Sequence, residues 1–222
     1  MAGGRPVSAG RSADAWARQL HAGARRGLWR RVLAWLGVRG RSVRRADAHA
    51  ARAEHGAEGE RMTAGLLRPL EAAGWHVRHD LVLPGSRANL DHVLVSPCGT
   101  AVVVLDTKRW RRGWPTQLVR GRVYCGAEDR HRQVEAVASY ARRVAVALGL
   151  PAGAVWPLLV VHGSPIVGGW LEARAPGWDG VVHILGPGLL VPTLAAAPRQ
   201  RDPRRAAALA AHVDQVLRPY NS

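Results

Sequence analysis

The run Ala101-Val102-Val103-Val104-Leu105-Asp106-Thr107-Lys108 decides the fold. Its unbroken Val and Leu positions read as a strand over Thr100–Lys108 that is buried on both faces, as a central strand is. The run ends on chemistry. Residues two apart on a strand share a face, so Asp106 and Lys108 project together while Thr107 points away. Lys108 is the only lysine of the chain, whose other basic residues are 31 arginines. A compact, flexible ammonium kept at this one position is not interchangeable with a guanidinium.

Reading outward, Asn89–Val95 alternates as a second strand and carries Asp91, and Ser96-Pro97-Cys98-Gly99 joins it tightly to the first. Trp75–Leu83 is a further strand, closed by Pro84-Gly85-Ser86. Downstream, Gln117–Tyr124 forms a ribbon. Glu128–Leu148 reads as a helix with Val134, Val137, Ala138, Ala141, Val144, Ala145 and Leu148 inward. Leu158–Val161, reached by that helical crossover, should pair in parallel. Val181–Leu185 is one more strand and Pro203–Leu217 an Ala-rich terminal helix. Upstream, a helix is expected from Ala46 to Ala73 with Met62, Leu66, Leu67 and Leu70 on one face, weakened by Gly56 and Gly59, kinked at Pro69 and stopped by Gly74. Before it stand a disordered start over 1–11, a helix over 12–37 and a basic linker over 38–45. The fold class is α/β, a mixed sheet flanked by helices. A basic N-terminal extension (1–45) precedes a domain over 46–222 with its core at about 54–165.

The net charge of +16 favours a polyanionic partner, and residues 1–53 concentrate the excess, with twelve arginines against Asp14 and Asp47. Cys98 and Cys125 form no C-x-x-C pair, which favours free thiols, and the ten histidines show no zinc spacing. No apolar stretch is long enough for a membrane span, and the first residues lack a signal core, so a cytoplasmic protein is expected. The basic, amphipathic Gly27–Leu36 leaves a membrane surface as a further possible partner.

Two acids and a lysine at the ends of adjacent strands suit phosphodiester cleavage. A divalent ion between carboxylates supplies charge neutralisation and a positioned water. The lysine stabilises developing charge, or deprotonates the water if its site lowers its pKa. Arg109, Arg111, Arg112, Arg120 and Arg122, with Trp110 and Trp114 interleaved, read as a phosphate-gripping rim with aromatic stacking surfaces.

Glu58-Gly59-Glu60, Asn89-Leu90-Asp91-His92-Val93-Leu94-Val95, Pro97-Cys98-Gly99-Thr100 and Val103-Val104-Leu105-Asp106-Thr107-Lys108-Arg109-Trp110 occur in the order that resembles the nuclease-related domain (NERD) family, grouped with the PD-(D/E)xK nucleases. The resemblance covers about residues 54–150 and implies a restriction-endonuclease-like core. It also implies a catalytic set of Glu60, Asp91, Asp106 and Lys108, with Gln133 on the following helix, and Mg²⁺ or Mn²⁺ on Asp91 and Asp106. The expected substrate is DNA, with RNA open, and no small-molecule cofactor. The middle acid of the family is usually Glu. Asp106 is one methylene shorter, and a degenerate nucleic-acid-binding module of the same fold is the alternative.

Overall fold

The computed structural model describes residues 41–83, 85, 86, 88–196 and 200–220, with the side chains of 41–53 left aside. The expected helix over 12–37 and the start over 1–11 lie outside the described residues.

Helix α1 (Arg41–Ala72) leads into β1 (His76–Val82), β2 (Asn89–Val95) and β3 (Val102–Arg109). A small ribbon of β4 (Thr116–Val119), β5 (Arg122–Cys125) and β6 (Glu128–Asp129) follows, then α2 (His131–Leu148) and β7 (Val155–His162). The chain closes with β8 (Trp170–Ala173), β9 (Val182–Leu185), α3 (Pro187–Ala195) and α4 (Pro203–Val216). Six strands form one sheet in the order β1-β2-β3-β7-β9-β8, so β3 is central as its apolar run requires. β1, β2 and β3 are an antiparallel meander, and β7 is parallel to both β3 and β9. The parallel step from β3 to β7 is carried by the ribbon and α2, the long crossover that such pairing needs.

Alternation along β3 divides the core. Val102 and Val104 pack with Ala141, Val144 and Leu148 of α2 and Val213 of α4. Val103 and Leu105 pack on the opposite face with Leu67 and Leu70 of α1 and Leu190 and Leu194 of α3. The inward positions expected for α2 are all buried, together with His131. The free-thiol expectation also holds, since both cysteines are unpaired. No helix among the described residues is long and apolar enough to cross a membrane.

Several local expectations are corrected. The helix begins at Arg41, not Ala46, so the described part of the supposed linker (41–45) is helical. Arginine is a good helix former, and a run of it is no break. Met62 is 46% exposed, and the inward face is Ala57, Thr63, Leu67 and Leu70. Gly59 is buried rather than a weak point: a Cβ there would lie 2.9 Å from Arg109 Cγ and 3.3 Å from Thr107 Cγ2. The absent side chain lets α1 approach β3 closely. Glu128 and Asp129 pair with Cys125 and Tyr124 as a strand, and α2 starts at His131. β8 and α3 were not expected at all.

Gly99 closes the β2–β3 turn at φ +63°, where its N–H meets Ser96 O at 2.9 Å. A Cβ there would lie 2.4 Å from the carbonyl carbon of Arg205 at the start of α4. Gly99→Ala therefore meets a left-handed backbone and a clash with main chain together. The expected loss is ~1–3 kcal/mol of stability, read by urea denaturation. A change within error would mean that α4 is not seated on this turn.

Candidate active site

The register of β2 on β3 settles which acids meet. The pairs run from Val95↔Val102 to His92↔Leu105 and stop there. The next residues along are Asp91 and Asp106. In place of another ladder bond, Asp91 Oδ2 accepts the Thr107 N–H at 2.7 Å. On its other side the β1–β2 ladder also skips Asp91, where Asp80 turns to φ +57°. Asp91 is thus released from strand pairing on both sides and clamped by its carboxylate to β3, next to Asp106.

Asp106 follows Val102 and Val104 in the alternation and faces α2, and so does Lys108. Asp106 is 6% exposed. Lys108 Nζ lies 2.5 Å from Asp106 Oδ2, an ion pair by distance but outside hydrogen-bond geometry, and it donates to Thr107 O at 3.2 Å. Among the described residues no other donor reaches that buried oxygen.

Two carboxylates in one desolvated corner repel. Asp91, enclosed by protein atoms while an edge of the residue meets solvent, holds its proton well above the usual carboxylate range. Burial is the main cause, Asp106 the next, with Lys108 opposing and Glu60 adding. Burial pulls the Lys108 ammonium down, but Asp106 and Asp91 outweigh it and hold the pKa above its ordinary value. In this arrangement the two carboxylates favour the charged ammonium over a neutral, proton-abstracting lysine.

The remaining expected site residues separate. Glu60, half-buried on α1, adds to the field at Asp91, whereas Glu58 forms an ion pair with Arg109. Arg109 lies on the α1 side of β3, opposite Lys108, so it is not a rim cation beside the carboxylates. Trp110 is buried at 5% exposure and cannot offer a stacking face. Its Nε1 donates to Gln133 Oε1 at 2.7 Å, which sets Gln133 to holding Trp110. Arg111 stacks over Trp114 at 4.1 Å, Arg122 pairs with Asp129, Arg112 is exposed in the turn after β3, and Arg120 is exposed on the ribbon.

Sequence reasoning missed Tyr140. It packs from α2 onto the core, and its hydroxyl proton is held more tightly, first by burial and then by Asp106, with Asp91 contributing and Lys108 opposing. The signal was present: Tyr140 stands seven residues after Gln133, two turns along the same helix face. Also missed was a buried chain behind the site. Thr107 Oγ1 donates to Thr63 Oγ1 at 3.0 Å, and Thr63 Oγ1 lies 2.8 Å from His162 Nε2. It ties α1 and β7 to the residue whose N–H clamps Asp91. His92, on the face opposite Asp91, meets His79 ring to ring with Nδ1 atoms 2.7 Å apart and is structural.

Burial lowers the pKa of His79 and His162, with Arg109 adding to the effect at His162. The unfolded chain takes up these protons near 6.5, while the folded chain resists them. The stability present above that pH is therefore lost as pH falls from about 6.5 towards the folded values. Each of these histidines contributes a slope of at most ~1.4 kcal/mol per pH unit in that window. Denaturation curves at about pH 7.5 and about pH 5.5 check this, and equal midpoints would contradict it.

Among the described residues no group of three His, Cys, Asp or Glu side chains is placed to hold a metal. Two carboxylates suffice for Mg²⁺, which keeps several waters and takes carbonyl oxygens. The buried Asp106 carboxylate beside Asp91 fits that chemistry, with the Lys108 ammonium as its near neighbour. In comparisons with known proteins, residues 55–162 match the family model of the nuclease-related domain. No curated protein and no solved structure matches the chain.

Proposed function

We propose, from the premise that residues 55–162 belong to the nuclease-related domain family, that this chain hydrolyses DNA phosphodiester bonds at Asp91, Asp106 and Lys108 with a divalent cation. The observation that carries this reading is the Asp91–Thr107 clamp, which sets two carboxylates and one ammonium together at the end of the central strand. Asp91 and Asp106 would hold Mg²⁺ or Mn²⁺, which when bound supplies an activated water and charge neutralisation on the phosphate. Lys108, with its proton held, faces the charge that develops on the phosphate oxygens. Tyr140, protonated at neutral pH, is a hydrogen-bond donor on the α2 side of the same corner. Thr107 fixes Asp91 from the main chain, and the Thr63–His162 pair fixes Thr107.

The purified chain incubated with DNA and Mg²⁺ or Mn²⁺ should produce nicks or shortened strands, and Lys108→Ala should lower the rate about 10²- to 10⁴-fold. Cleavage by wild type no greater than by Lys108→Ala would end the proposal. The close Lys108–Asp106 contact favours a second reading, in which the ammonium stands in for the cation and the domain only binds nucleic acid. That reading predicts salt-sensitive DNA binding that neither Asp106→Ala nor chelation weakens.

A further inference from the structure

On the sheet face covered elsewhere by α1 and α3, three strands present aromatic rings. The His183 imidazole of β9 stacks between Trp156 of β7 and Trp170 of β8, with centroids 5.6 and 5.8 Å apart and planes within 18° and 7°. The two indoles are 50% and 48% exposed. Rings that served only the core would be covered, since indole burial is strongly favourable. Beside this ladder lies a hollow of about 610 Å³, walled by Trp75, Val103, Leu158 and Leu194 as well as by the rings. Trp156 pairs across the sheet with Val103 of β3. The ladder thus stops where a valine replaces the next ring, and the hollow adjoins that position.

A second hollow, of about 810 Å³, is lined by Arg201, Arg204 and Arg205. The two adjoin through the β2–β3 turn: Ser96 and Ala101 line the aromatic hollow, Cys98 and Thr100 the basic one. Asp202 also lines the basic hollow, but its carboxylate is occupied as the cap of α4, accepting from Arg205 N at 3.0 Å. An aromatic seat and three arginines thereby flank the same tight turn of chain. Val103 lies five residues before Lys108 in β3, ~17 Å along the strand, and on the opposite face. This surface is distinct from the carboxylate corner.

We infer that this surface binds an unpaired nucleotide of a nucleic-acid strand, with the base stacked on Trp156 in the hollow and the phosphates over Arg201, Arg204 and Arg205. Two observations select a nucleotide over a purely apolar occupant. The ring planes are parallel, so a base extends the stack, and every base has a π-face. The basic hollow adjoins, on a chain of net charge +16, which complements a polyanion. The surface holds single-stranded nucleic acid away from the cleavage corner, and its binding does not depend on catalysis.

The test uses the full chain in chelator, so that cleavage plays no part. Anisotropy is followed for a labelled oligothymidylate and for an abasic strand of equal length, which carries the same phosphates without bases. Wild type should prefer the base-bearing strand by roughly ten- to hundredfold. Trp156→Ala should erase that preference and leave abasic binding unchanged, while Trp156→Phe keeps most of it. Both indoles are half exposed, so these changes spare the core. Competition by thymidine monophosphate at the wild-type ratio would assign the site to free nucleotides rather than strands, contrary to the inference. Equal binding of the two strands by wild type would overturn it. So would a preference that survives Trp156→Ala combined with Trp170→Ala, or Trp156-dependent binding of lipid vesicles without any strand preference.

Discussion

Asp106→Asn is expected to lose divalent-metal-dependent DNA cleavage by about 10³-fold or more. The substitution keeps the shape of the side chain and removes only its charge. The charge it removes is carried by a buried carboxylate whose Oδ2, among the described residues, is approached by the Lys108 ammonium alone. A carboxamide neither balances a divalent cation nor competes for it at millimolar concentration. Two side effects separate this loss from misfolding. Asp91 should become easier to ionise, because Asp106 is the second cause, after burial, that raises its pKa. Lys108 loses its nearest anion, but its side chain is 34% exposed and water replaces part of that contact. The variant should therefore fold, with a melting temperature close to wild type, and still bind DNA. Cleavage at wild-type rates by Asp106→Asn would show that no cation is held at this corner. A wild type inert with every divalent ion, alongside unchanged DNA binding by the variant, would select the binding-module reading.

Thr63→Val is expected to cost ~2–5 kcal/mol of stability, large for a side chain that touches neither substrate nor solvent. Thr63 is 0% exposed and sits between two polar groups with no other side-chain partner shown. Thr63 Oγ1 accepts from Thr107 Oγ1 and shares a second hydrogen bond with His162 Nε2. Valine matches the volume and orphans both ends, a buried hydroxyl and a buried ring nitrogen. Thr63→Ser keeps the oxygen and should recover most of the loss, which separates the hydrogen bonds from the packing. Cleavage should fall with Thr63→Val beyond what unfolding explains, because Thr107 carries the N–H that clamps Asp91. A stability change under ~0.5 kcal/mol for the valine variant would show that the chain of hydroxyls is not formed.

Much of the site was legible one strand at a time. The period of two placed Asp106 with Lys108 and turned Thr107 away, and both follow from local backbone geometry. Asp91 was recognisable as an acid within a strand, but its approach to Asp106 depended on register, which the β2–β3 turn and the released ladder at Asp91 decide. The rim was misjudged for a related reason. Arg109 and Trp110 look like a basic and an aromatic residue beside a site, yet alternation sends Arg109 to Glu58 and the core takes Trp110. Charge and ring identity carry no information about which face they reach. Thr63 and His162 stand 99 residues apart, and no local pattern announces their contact.

By itself, the amino-acid order determined the central strand, the helix that crosses back over it, the α/β class and a lone lysine two residues beyond an acid. Each is a short-range consequence of side-chain period and hydrophobic run length. Only the tertiary structure decided that Asp91 is clamped by a main-chain N–H beside Asp106, that two carboxylates surround the Lys108 ammonium, and that two tryptophans and a histidine from three strands align near three arginines. These depend on register, burial and the mutual field of charges, which exist only once distant segments have been brought into one low-dielectric corner.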